Sequence, residues 1–324
     1  MTSDDEIKAA IKSYLAEGKT DLFVFSGPID LASADQLIDL IIEKPQRQPR
    51  ASLFLTTYGG DMHSAYRMTR CLRAAYDNLV ILIVGPCKSA GTLVAIGATQ
   101  LAFARTGELG PIDVQMTKPD EILPLSSGLD AFQGLAILTS HAFRTFEDYM
   151  LTITNKSVGS VSTKTASHIA SELVTGIFKP IAEQIDPLRL GEAQRVITIS
   201  TEYGKRIGDK NLKANALESL IERYPSHGFV IDMEEARKLF KEVRDLTDNE
   251  ARVAKLLRNT LRYPAKEAVI ADLGETIAKE SDDDQTTNGS TENPEPVDSG
   301  SEGAPGKAPN AEPGHAPRVA KLRR

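Results

Sequence analysis

Two glycine-rich turns are where residue type and spacing in this sequence could do chemistry. The first reads Thr56-Thr57-Tyr58-Gly59-Gly60-Asp61, the second Gly85-Pro86-Cys87-Lys88-Ser89-Ala90-Gly91-Thr92. Each follows an apolar run and precedes a helical pattern. Paired glycines let the backbone turn sharply and leave its N–H groups unobstructed. Such groups at a helix start suit an anion or a developing oxyanion. In the second turn Ser89 stands at the start of a helix among small residues. These are the mechanics of a nucleophile elbow, although the spacing is not Gly-x-Ser-x-Gly. A serine there is also an ordinary N-cap, and Gly-Gly after a strand is often only a tight turn, so each turn alone leaves both readings open. Gly60 and Ser89 lie 29 residues apart, room for one helix and one strand. In a right-handed parallel sheet, neighbouring strand ends would bring both turns to one crevice.

The elements that would position them alternate. Ile7, Ile11 and Leu15 mark a one-faced helix. Asp21 to Phe25 reads as a strand, Ser33 to Lys44 as a helix, Ser52 to Leu55 as a strand and Met62 to Tyr76 as a helix. Leu79 to Val84 has the continuous apolar character of a strand buried on both faces. Gly85 to Gly91 reads as a turn, Thr92 to Thr99 as a small apolar helix, and Leu101 to Ala104 and Pro111 to Val114 as short strands or extended pieces. After Leu125 a long helical pattern runs from Gly128 to Thr152, and three or four more helices follow to Ile277. The expected fold is α/β: stacked βαβ units on a mostly parallel sheet, with a helical extension from about residue 125.

Composition sets the outer limits. The chain has 324 residues, 38 Lys+Arg and 45 Asp+Glu, for a formal net charge of −7. That balance argues against a nucleic-acid specialist. Two cysteines, Cys71 and Cys87, make no disulfide framework and suit a reducing compartment. The acidic start is unlike a signal peptide, and no apolar run approaches a bilayer span, so a cytoplasmic protein is expected. No His/Cys cluster has metal-ligand spacing and no dinucleotide fingerprint is present, so neither metal nor cofactor is expected. Residues 280–324 hold six Pro, five Gly and no Phe, Tyr, Ile or Met. They read as a disordered low-complexity tail, acidic to residue 306 and basic at its tip. Residues 1–279 are expected to form one domain with its helical extension.

Strand, Tyr58-Gly59-Gly60, helix, strand, Lys88-Ser89-Ala90-Gly91-Thr92 and then Gly110-Pro111-Ile112-Asp113-Val114-Gln115 together resemble the serine peptidases of the Clp/crotonase superfamily. The resemblance is strongest to the serine dehydrogenase proteinase family, related to signal peptide peptidase A. Tyr224-Pro225-Ser226-His227-Gly228-Phe229-Val230-Ile231-Asp232, followed by Glu234-Glu235-Ala236, is similar to that family's C-terminal motif. The similarity extends from Leu22 to Phe240. It implies a Clp/crotonase-like fold, an ATP-independent serine endopeptidase acting on peptides or unfolded segments, and a homo-oligomer. Ser89 matches the nucleophile; Gly59, Gly60 and the N–H of Ala90 match the oxyanion hole. Asp113 falls 24 residues after Ser89, where Clp proteolytic subunits place their histidine. His227 falls near where they place their aspartate. The resemblance therefore implies an exchange, with His227 as base and Asp113 orienting it. Lys118, Lys88 and His63 are alternative bases, a lysine needing desolvation or a second cation to lose its proton. Two other readings accompany this one. The missing histidine at 113 suits a catalytically inactive oligomeric scaffold. A crotonase-type acyl-CoA enzyme would share the oxyanion hole, but Glu108 is the only acid near the turns.

Overall fold

The computed structural model describes residues 3–112, 115–117 and 125–278. Asp113, Lys118 and the segment 280–324 lie outside the described residues. The first part of the chain alternates as expected. Its elements are α1 (Ser3–Gly18), β1 (Thr20–Ser26), α2 (Leu31–Ile42), β2 (Arg50–Thr56), α3 (Met62–Ala75), β3 (Asn78–Ile83), β4 (Pro86–Cys87), α4 (Ala90–Ile96), β5 (Gln100–Phe103) and β6 (Glu108–Leu109). Helix starts are capped by the residues expected of caps. Asp30 and Ser33 form a reciprocal capping box before α2, and Asp61 accepts from Ser64 N–H before α3.

Parallel pairing in register puts Phe23, Leu53, Ile81 and Leu101 in one lateral row and Val24, Phe54, Leu82 and Ala102 in the next. The first row packs under α2, α3 and α4; the second belongs to the core shared with α1. Successive side chains alternate between faces, so a strand buried on both sides must be apolar throughout. That requirement explains the unbroken runs in β1, β2 and β3.

The second part departs from an all-helical extension. It contains β7 (Gln115–Thr117), β8 (Leu125–Ser127), α5 (Gly128–Lys156), α6 (Thr163–Ala182), α7 (Pro187–Ile207), α8 (Ala216–Glu218), a π-helical turn at Ser219–Arg223, α9 (Met233–Leu239), β9 (Val243–Asp245), α10 (Asp248–Leu256), α11 (Arg258–Leu261) and β10 (Val269–Asp272). Two of these strands return to the main sheet, whose order is β10-β1-β2-β3-β5-β9. All neighbours are parallel except β10 against β1. The turn expected at Gly85 to Gly91 contains the two-residue strand β4, and Pro111 and Ile112 have no regular structure. No helix among the described residues is long and apolar enough to cross a membrane.

Beyond the carboxyl ends of the main strands, the chain forms a second, shorter layer. Ile29 bridges Gly60, Thr57 bridges Cys87, β4 pairs with β6, and Leu109 bridges Ile231. Each βαβ turn therefore contributes a few residues to a row that stands over the sheet. Both glycine-rich turns lie in that row.

Candidate active site

Ser89 occupies the N-cap position of α4 but does not cap it. Its backbone is at φ 51° and ψ −115°, and its side chain makes no capping hydrogen bond. A non-glycine residue held at positive φ is costly, of the order of 1–3 kcal/mol, and persists only where its surroundings enforce it. Here they do: Thr57 N–H donates to Pro86 C=O (2.8 Å) and Lys88 N–H donates to Thr57 C=O (2.9 Å). These bonds fix the chain on both sides of Cys87. Ser89 is 9% exposed, and its hydroxyl bonds to no described residue. Every sealed side-chain polar atom among the described residues has a partner, so the Ser89 Oγ is open to water.

The Gly59-Gly60 turn is pressed onto this corner. A Cβ at Gly59 would lie 2.7 Å from Ser89 Cβ and 3.2 Å from its Oγ, and Gly59 is itself at φ +109°. At Gly60, φ +141°, a Cβ would fall 2.0 Å from the Ile29 carbonyl oxygen. Both positions require glycine for space and for conformation. The donors differ. Gly59 N–H is spent on Thr57 Oγ1 (2.9 Å). The N–H groups of Gly60 and Ala90 donate to no described residue. Ala90 is the first residue of α4, where N–H groups lack intrahelical partners.

Lys88 lies beside the serine but runs away from it. Its ammonium donates to the carbonyls of Leu109 (3.1 Å) and Phe229 (3.3 Å) and pairs with Glu108 (3.2 Å), with the residue 7% exposed. It therefore fastens three segments together: the elbow, β6 and the chain after His227. Glu108 is committed to this pair. Cys87, one step beneath, is fully buried, and burial pushes its thiol far up from the ordinary range, so it is no rival nucleophile.

His227 is half-buried, two residues before the Phe229 carbonyl that Lys88 holds and four before Ile231, which pairs with Leu109. The segment from His227 to Ile231 is thus docked beside the elbow. No described histidine or lysine side chain is hydrogen-bonded to Ser89. His63 is exposed and turned to Tyr203, with Nδ1 2.8 Å from the phenol oxygen. Asp113 follows a well-anchored approach: Thr92 Oγ1 donates to Gly110 C=O (2.7 Å), and Ile112 N–H donates to Leu220 C=O (2.8 Å). Thr57 and Thr92 escaped the sequence reading. Their positions, one before the Gly-Gly turn and one closing Ser-Ala-Gly-Thr, were the available signal.

Against known proteins, no family model and no curated protein matches this chain. Among solved structures it is similar to a membrane-bound stomatin-specific protease (1510-N) at 14% identity and a TM-score of 0.29. That match covers 46% of this chain and 66% of the other.

Proposed function

We propose that this chain is a serine peptidase-like hydrolase of Clp/crotonase type, with Ser89 as nucleophile, acting on peptides or unfolded segments without ATP and assembling as a homo-oligomer. The observation that carries this reading is Ser89 itself. It is a strained, uncapped serine at a strand-to-helix corner, with the Gly59-Gly60 turn pressed against it and the N–H groups of Gly60 and Ala90 uncommitted among the described residues. In the reaction, Ser89 Oγ adds to the scissile carbonyl carbon and passes its proton to a base. The carbonyl oxygen, now negative, is received by Gly60 and Ala90 N–H, with Gly59 keeping the approach clear. The leaving amine takes the proton, and water then hydrolyses the acyl-enzyme. His227 is the base we assign, oriented by Asp113. It is carried on the segment that Lys88 and Leu109 hold beside the elbow, and catalytic hydrogen bonds commonly tighten only when substrate binds.

The test is covalent. A fluorophosphonate probe is expected to label wild-type protein on Ser89, located by peptide mass mapping, and to leave Ser89→Ala unlabelled at unchanged thermal stability. Equal labelling of the two would overturn the assignment. His227→Ala is expected to slow labelling by about a hundredfold or more, with Lys118→Ala and His63→Ala near wild type.

One observation favours a second reading, an inactive scaffold of the same fold: no described histidine or lysine side chain is hydrogen-bonded to Ser89. Absence of labelling in a folded wild type across pH 6 to 10 (roughly the span over which His and Lys bases titrate) would select it. The crotonase alternative has no such support, because Glu108 is held by Lys88.

A further inference from the structure

The outward face of α10 and α11 is strongly basic in a chain that is acidic overall. Residues 251–266 hold five Lys+Arg and no Asp or Glu, against a net charge of −7 for the whole sequence. Helical spacing sorts them onto one side. Val253, Ala254, Leu257 and Leu261 are buried in the core shared with α1. Arg252, Lys255, Arg258 and Arg262, at the positions between them, are exposed, and Lys266 is exposed just beyond. Leu257 N–H donates to Val253 C=O (2.9 Å), and Leu257 C=O accepts from Leu261 N–H (3.1 Å). Helical turns therefore follow one another through the joint between α10 and α11. None of the five cations forms an ion pair with a described residue. Like charges at helical spacing repel one another, and here no described acid pairs with them.

The face is also held in place. Ser26 Oγ donates to Thr260 C=O (2.6 Å), and Thr56 Oγ1 donates to Leu261 C=O (3.1 Å). A Cβ at Gly85 would lie 2.6 Å from the carbonyl oxygens of both Leu261 and Arg262. The basic row is thus anchored at the carboxyl ends of β1 and β2 and against the first residue of the Ser89 turn.

We propose that this face is the docking surface for an acidic stretch of the same chain, residues 280–306. Three observations select that occupant. The first is charge. The stretch holds eight Asp+Glu and no Lys or Arg, with Asp282, Asp283 and Asp284 in succession. The second is place. Ile277 and Leu257 are both buried and line one small crevice with Ile7 and Ile11. The chain therefore sets out toward residue 280 from beside the middle of the basic row. The third is reach. Asp282 comes five residues after Ile277, a span of up to roughly 17 Å when extended. Arg252 and Arg262 are ten residues apart, roughly 15 Å along a helix. The acids can therefore meet every cation of the row. Exposed ion pairs are individually weak and screened by salt. A tether this short supplies an effective concentration in the millimolar range, at which weak pairs stay populated. Residues 307–324, with five Lys+Arg and one acid, are kept off the same face by like charge. The proposal stands whether or not Ser89 is active.

Carbodiimide coupling of the full, unmodified chain tests it, because this reagent joins a lysine amine to a carboxylate only where the two touch. Tryptic mass mapping is expected to find Lys255 and Lys266 joined to the peptide that carries Glu280 to Asp284. Mixing with isotope-labelled protein should show both ends of each link in one chain. The links should disappear at about 0.5 M salt, where the screening length is roughly 4 Å. Heparin serves as a polyanion probe of the face. Asp282→Asn with Asp283→Asn and Asp284→Asn is expected to bind it about tenfold more tightly than the wild type does. Adding Arg258→Gln and Arg262→Gln to that variant is expected to remove the gain, with far-UV circular dichroism unchanged. Absence of links from Lys255 and Lys266 to residues 280–306, or links confined to Lys307 and Lys321, would overturn the proposal. Equal heparin affinity of the wild type and the asparagine variant would also overturn it, and would mark the face as open to an external polyanion.

Discussion

Ser89 is shaped by what its neighbours leave out. Gly59 offers no Cβ where one would meet Ser89 at 2.7 Å, and no side chain of the described residues accepts or donates at its hydroxyl. Gly59→Ala is therefore expected to do two things at once. It forces a methyl against the nucleophile and places alanine at φ +109°, so stability should fall by about 1–2 kcal/mol. Probe labelling should fall much further, by a hundredfold or more, as the loss of oxyanion geometry would cause. Loss of labelling in proportion to the unfolded fraction alone would show that Gly59 merely permits the turn. Lys88 makes a sharper case, because sequence adjacency suggested a base and its contacts describe a fastener. Lys88→Met strands Glu108 and two carbonyls and should cost about 1–3 kcal/mol. If Lys88 were the base, Lys88→Arg would be as inactive as Lys88→Met. If it is the fastener, arginine should restore much of the labelling rate and leave its pH profile unmoved. At this scale the tight turns at Gly59, Gly60 and Ser89 were legible, because they depend on local residue type and spacing. The partners of Lys88 were not, because one of them lies 141 residues away in the chain.

Elements were legible in proportion to their burial. β1 and β3 are unmistakable runs because both their faces are covered, whereas β9 and β10 escaped notice. Val243-Arg244-Asp245 is three residues long and polar at two of them, as an edge strand can be. What anchors it is an ion pair rather than an apolar face. Arg244 reaches Gln100 on β5 (2.7 Å) and grips both oxygens of Glu250 on α10 (2.6 and 2.8 Å). Glu250 is 2% exposed and also accepts from Thr247 N–H at 2.8 Å. Burial opposes its charge, but the Arg244 hydrogen bonds and the Thr247 donors outweigh that cost and hold its carboxyl below the usual range. A carboxylate depressed in the folded state stabilises above its unfolded pKa, and the contribution disappears as pH falls through the folded value. Glu250→Ala should therefore destabilise by about 3 kcal/mol near neutrality, and the gap from wild type should narrow below about pH 4. Chemical denaturation of both proteins at pH 7 and pH 3.5 (values roughly bracketing a free carboxylate) measures this. An equal gap at both would mean that Glu250 acts by packing alone.

At the scale of the whole molecule, the two ends of the sheet do different work. The carboxyl ends of the parallel strands present the elbow. One lateral edge is closed by the antiparallel β10, which joins a segment near the end of the described chain to β1 near its beginning. That closure is centred on one buried cation. Lys44 lies between Asp272, its nearer partner, and Asp21 at 3.4 Å, with all three side chains 7% exposed or less. Tyr76 donates to the same Asp21 at 2.8 Å. Burial works against the Lys44 charge, yet the bond to Asp272 and the two carboxylates win and raise its pKa. A raised lysine stabilises below its unfolded value and loses that contribution as pH climbs through the folded one, so what Lys44 contributes should be lost only on the alkaline side, above about pH 10. Removing the cation inverts the picture. Lys44→Met leaves two buried carboxylates facing each other without the cation between them, at a cost of about 3–5 kcal/mol near neutrality. Like charges held together bind a proton more readily, so this variant should recover stability as pH is lowered from about 7 to 5, where the wild type changes little. Melting curves across that range decide the point. Parallel profiles would show that the cluster holds β10 by hydrogen bonding and packing rather than by charge. Probe labelling of Ser89 at a temperature where the variant is folded should match the wild type, because Asp21 lies at the start of β1 whereas the elbow lies beyond the end of β3.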